Sequence, residues 1–118
     1  MNTESQLRAD LSGDAGVSAL VGTRIYPNVL PDTLDPKNAD HWPAIAYHTV
    51  DAVVIGGVCK QRRMQIDYYA RSYSAMKEGR DAIEDLADGK SNWQYLEGPD
   101  FYEEDTKLHH QVIDVIIS

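Results

Sequence analysis

Few residues in this chain have chemistry available to them, and their spacing works against it. His109 and His110 are adjacent near the C-terminal end. A zinc site needs three or four converging ligands. Neighbouring strand residues point to opposite faces, so the two imidazoles cannot hold one ion without a bulge. His41 and His48 stand at no ligand-type spacing to them or to Cys59, the single cysteine. Cys59 with a histidine would make a nucleophile and its base, but it follows Gly56-Gly57, where a small side chain beside a turn is the simpler expectation. That glycine pair lacks the Gly-Lys-Ser/Thr and the following helix of a phosphate loop. Asp67 with Asp114, or Glu103, Glu104 and Asp105, could act as acid and base only if burial or a like charge raised one pKa. Solvated strand edges and turns are the expected setting for all five. The pattern predicts no catalytic centre, no metal site and no cofactor.

Composition narrows the classes further. The chain has 118 residues, 42% of them hydrophobic, which suits one domain over 1–118 with a single modest core. A lone cysteine fits a reducing, cytosolic site of synthesis. The N-terminal "MNTESQLRAD" has no basic stretch followed by an apolar one, so no secretory signal is expected. No apolar run approaches the roughly eighteen residues of a membrane span. The net charge is −8 and the isoelectric point about 4.7. Sequence-independent nucleic-acid binding needs clustered Lys and Arg, and anionic membranes attract the same residues. Both partners are therefore disfavoured.

The elements follow from periodicity. "ESQLRADLSG" (4–13) reads as a short amphipathic helix with Leu7 and Leu11 on one face. Asp14 can cap a second turn carrying Val17, Leu20 and Val21. Ile25-Tyr26 is a brief strand stopped by Pro27. Residues 27–43 hold four prolines among Asn and Asp and read as a loop by composition. Loops of that length are usually functional or disordered. Residues 44–53 read as a strand, Gly56-Gly57 as a hairpin turn, and 62–71 as the second arm, with Met64, Ile66, Tyr68 and Ala70 on one side. Ser72 or Ser74 caps the main helix, whose stripe is Met76, Ala82, Ile83, Leu86 and Ala87. Gly79 costs that helix about 1 kcal/mol against alanine, which suggests close packing on the sheet. Gly89 ends it. Residues 92–105 read as two strand pieces or one broken strand around Gly98-Pro99. Residues 107–118 close the fold with Ile113, Val115 and Ile117 on one face and Asp114 on the other. The expected class is α+β, with a mainly antiparallel sheet, a packed main helix and a short N-terminal helix.

Two features point beyond a single subunit. Val53, Val54 and Ile55 lie in the apolar stretch "AVVIGGV" around a turn, where polar residues are the rule; either the tip meets a partner or it folds back on its own core. Basic "KQRR", containing Lys60, Arg62 and Arg63, is matched by acidic "DFYEED", containing Glu103, Glu104 and Asp105. Unlike patches can meet head to tail between copies and build a ring, or lie side by side in one sheet.

The run "LVGTRIYP" (20–27), then "PAIAY" (43–47), then "RMQIDYYA" (63–70) leading into the main helix and the closing strand "HHQVIDVII", resembles the tail-completion, or tail-terminator, family of long-tailed bacteriophages. The resemblance runs in order along nearly the whole chain. Residues 92–102 depart from it in being richer in aromatics. It implies a structural virion protein without catalytic residues, similar to lambda-type tail terminators that form hexameric rings. Such a ring closes the head-proximal end of the tail tube, docks to the head–tail connector and lets DNA pass without specific binding. Its setting would be the host cytoplasm during assembly and the virion tail afterwards. Arg24 and Tyr26 lie within the family's first run and join the candidate interface residues; Arg24 is expected to meet a carboxylate, a neighbour's or its own. A head-side adaptor or stopper is the alternative within the structural class, and a small cytosolic enzyme or metal-binding domain the alternative outside it.

Overall fold

A computed structural model describes residues 2–55 and 59–118, and the side chains in those ranges except at 52–60. Val53, Val54, Ile55, Cys59 and Lys60 are therefore placed by backbone only, and the Gly56-Gly57 turn lies outside the described residues.

Helix α1 spans Thr3–Gly13, capped by the Asn2 side chain, which accepts from Ser5 N–H. Leu7 and Leu11, four apart, are fully buried. The Thr49 hydroxyl donates to Glu4, tying α1 to the sheet and holding that carboxyl below its usual range. Asp14 caps α2 (Ala15–Val21) by accepting from Val17 N–H at 2.9 Å. Gly22, at φ +59°, turns the chain out of α2 in a conformation that favours glycine.

Five strands follow: β1 (Ile25–Pro27), β2 (Ala44–Ile55), β3 (Cys59–Ala70), β4 (Trp93–Glu103) and β5 (Leu108–Ile117). Their order in the sheet is β1-β2-β3-β5-β4. The fold is α+β. The sheet is mixed, because β1 pairs parallel with β2, Ile25 opposite Ile45. The remaining pairs are antiparallel. A parallel pair needs a crossover connection, so residues 28–43 are that crossover. Region 92–105 is one strand, whose register shifts between Glu97 and Asp100 around Gly98-Pro99. Gln111 is buried at this bulge, and its Nε2 donates to the Gly98 carbonyl at 3.0 Å.

One sheet face carries Ile45, Tyr47, Met64, Ile66, Tyr68, Ala70, Ile113, Val115 and Ile117, all in the main core with the buried stripes of the helices. Strand alternation delivers that set. Helix α3 (Tyr73–Asp88) lies across it, capped by Ser72 Oγ, which accepts from Ala75 N–H at 3.1 Å. Lys77 on α3 pins the helix to Asp100 at 2.8 Å and to Gln111 at 3.0 Å. Gly79 sits directly over the ring of Tyr68, so that any Cβ there would overlap the ring carbons.

Tyr68 is 1% exposed, and its hydroxyl has no hydrogen-bond partner among the described residues. Burial pushes its pKa up. A buried orphan hydroxyl is costly. Tyr68→Phe should therefore stabilise the protein by about 1 kcal/mol. A urea unfolding curve shifted to lower midpoint would contradict this.

Candidate functional site

The opposite sheet face is covered only at one end, by the crossover at 28–43. Composition suggests a structureless loop; local bonds build it instead. Pro27 ends β1, and Asn28, at φ +67°, donates to the Tyr47 carbonyl at 2.8 Å. Asp35 N–H donates to His41 Nδ1 at 2.8 Å, and the Trp42 indole donates back to the Asp35 carbonyl at 2.9 Å. Asn38 caps a short 3-10 turn over Ala39–His41. Trp42 then packs with Ala44 and Leu108, together with Tyr26, Leu30, Leu34 and Tyr69, in a second small core. Arg24 takes part in this construction: its Nε donates to the Pro43 carbonyl at 2.8 Å and its Nη2 to the Leu20 carbonyl at 3.4 Å. Among the described residues Arg24 meets no carboxylate of its own subunit; the guanidinium instead joins a carbonyl of α2 to the carbonyl that ends the crossover. Tyr26 is half-buried in the same small core.

Between crossover and sheet lies a cavity of about 450 Å³. Trp42, Tyr69, Leu34 and Leu108 supply apolar wall, while Asp32, Asp67 and Glu103 supply carboxylates. No Lys, Arg or His among the described residues lines it. Asp67 is not at a solvated edge as its strand position suggested: it is 7% exposed. A buried carboxylate needs partners, and Asp67 has them in Gln65 Nε2 at 2.8 Å and His110 Nε2 at 3.0 Å, with His48 Nδ1 at 4.0 Å. The His110 ring stacks on Tyr69, centroids 4.2 Å apart. Asp114 is likewise held, accepting from Arg63 Nε at 3.0 Å. Arg63 in return is raised above its usual pKa by that bond.

The Tyr69 phenol is pushed up to about 12, by burial first and then by the charges of Asp67 and Glu103. In the unfolded chain it ionises near 10, so its contribution to stability is intact below pH 10 and is lost as pH rises through about 12. Tyr69→Phe should flatten that alkaline loss. Unfolding midpoints measured across the interval check it, and curves that superimpose with wild type would refute it.

Other predicted residues separate. His109 points to the helix face, against Tyr102 and Tyr73, while His110 points to the opposite one. No group of three or more His, Cys, Asp or Glu among the described residues is placed to hold a metal. Glu103 is half-buried at the cavity, and Glu104 and Asp105 are exposed in the β4–β5 turn. Arg62 pairs with Ile117 in the sheet, and Ala70 pairs with His109. The basic run and the acidic turn therefore stand eight residues apart along β3, about 26 Å at strand rise, in a molecule 48 Å long. The reading in which they lie side by side in one sheet is excluded. Sequence reasoning missed Trp42 and Asp32, though a large apolar residue stranded in a polar loop signals local burial. Tyr73, Phe101 and Tyr102 are each about half exposed around β4.

The family model for tail completion protein gp17 matches residues 5–118. A chain of a solved structure described as the virion of a native gene transfer agent particle shares the fold with a TM-score of 0.67. That similarity covers 94% of this chain and 92% of the other at 19% identity. No curated protein sequence matches it.

Proposed function

The chain belongs to the tail completion protein gp17 family, structural proteins of the phage tail, and from that premise we propose that it acts as a ring of identical subunits closing the head-proximal end of the tail tube. One observation carries this reading. The basic end and the acidic end of the subunit are about 26 Å apart, too far to neutralise each other, and they face opposite ways along the sheet. Unlike patches at opposite ends favour heterologous contacts, which close into a ring when the rotation permits. At the β4 edge the other route to assembly, strand pairing between copies, is discouraged by the bulge.

Such a ring would take the tube's last subunits on one side and the head–tail connector on the other. Six copies at −8 each carry −48. A channel of that sign offers few phosphate contacts and lets DNA slide. Native mass spectrometry and negative-stain imaging of the purified protein should show a closed ring. A protein that stays monomeric at high concentration, and fails to cap tail tubes in an assembly reaction, would end this proposal.

A further inference from the structure

The 450 Å³ cavity beneath the crossover has a one-sided chemistry. Part of its wall is aromatic and aliphatic, its charged groups are Asp32, Asp67 and Glu103, and no cation among the described residues lines it. Asp67 is already bound by Gln65 and His110, but both flank it within the sheet and neither occupies the cavity. Apolar walls that lead to carboxylates suit a side chain with an apolar stem and a cationic head, lying along Trp42 and Tyr69. Lysine and arginine are the two that fit.

Among the described residues, none of the subunit's own cations lines it. Lys77, Arg80, Lys90 and Arg63 are paired with Asp100, Asp81, Asp10 and Asp114. Arg24 is held by carbonyls of its own chain. Lys37, Arg71 and Lys107 line an adjoining, smaller pocket together with Asp35 and Asp105. Arg8 is exposed on α1, which packs on the other face of the sheet. The remaining cations are Lys60 and Arg62, and the backbone of their run is fixed at the far end of β3 by the pairing of Arg62 with Ile117.

We propose that the cavity receives a Lys or Arg side chain from the 60–63 run of a second copy of this chain. The contact is head to tail, and each copy offers its acidic cavity to one neighbour and its basic run to the other. It rests on the ring reading above and adds to it the pair of surfaces that meet. Sequence supports the match as well, because Val53, Val54 and Ile55, just before the run, are apolar, as are Leu30, Leu34 and Trp42 in the cavity wall.

Charge exchange tests it. The pair Asp32→Lys with Glu103→Lys, and the pair Lys60→Glu with Arg62→Glu, should each weaken self-association by at least roughly tenfold, as loss of a close charge contact does. All four changes together in one chain should recover most of the loss, because the coupling is then restored with signs reversed. Association is read by native mass spectrometry and sedimentation, with circular dichroism to confirm that each variant is folded. Should the lysine pair unfold the subunit, Asp32→Asn with Glu103→Gln takes its place, and a reduced salt dependence of association is then the expected result. Wild-type association in either pair alone, unchanged salt dependence in the neutral pair, or a four-fold variant no better than its weaker parent overturns the contact. A wild-type protein that never assembles overturns the ring itself, which separates the two failures.

Discussion

Gly79→Ala should destabilise the protein by about 3 kcal/mol. Helix propensity alone predicts the opposite sign, since alanine is favoured over glycine in a helix interior by about 1 kcal/mol. The reason for the reversal is the Tyr68 ring. Gly79 is buried in α3 and stands over Cζ and both Cε carbons of that ring, inside the space a methyl would need. Tyr68 cannot retreat, because it is 1% exposed among Ile45, Ile66 and Ile113 in the main core. Either the helix lifts from the sheet or the tyrosine leaves its rotamer. Chemical denaturation of the alanine variant measures the sum. A midpoint at or above wild type would mean that α3 packs elsewhere. Tyr68→Phe should not rescue it, since the offending carbons remain; only a smaller side chain at 68 should.

Trp42→Ala should cost about 3–4 kcal/mol, the usual range for removing a buried large aromatic, and it should do so locally. Trp42 is 8% exposed and is the centre of the small core under the crossover. Its indole N–H also satisfies the Asp35 carbonyl. Without it, Leu30 and Leu34 lose their partner and the cavity loses a wall. Limited proteolysis should then cut within 28–43 far faster than in wild type, while α3 and the strands it covers keep their hydrogen-exchange protection. Equal cleavage rates in the two proteins would show that the crossover is held by its prolines and turns alone.

The sequence made the helix-facing side of the sheet legible. Met64, Ile66, Tyr68 and Ala70, with Ile113, Val115 and Ile117, alternate cleanly, and alternation is enforced wherever one face is buried. The caps at Asp14 and Ser72 were readable too, since a short polar side chain ahead of an apolar stripe has few other uses. Gly79 was readable as a close approach, though not its partner. The other face was not legible. Asp67 and Asp114 occupy outward strand positions; the crossover and His110 cover Asp67, and Arg63 lies beside Asp114. Those contacts come from residues 43 and 51 positions distant. Periodicity within a segment carries no information of that kind. The parallel pairing of β1 escaped for a similar reason: three residues are too few to show a direction. Arg24 shows the limit of reading charge as charge, because a guanidinium is also a fork of N–H donors, and here the fork serves carbonyls.

The interruption at Gly98-Pro99 sets an upper bound on growth. Strand β4 is eleven residues long and lies at the outside of the sheet. An incoming strand could zip along residues 93–97, but it would then meet Pro99, which has no N–H to give, and a ladder already out of step by the bulge. The β4 edge is thereby a poor template for a fibre. Pairing at that side of the sheet is limited to the five residues before the bulge, 93–97.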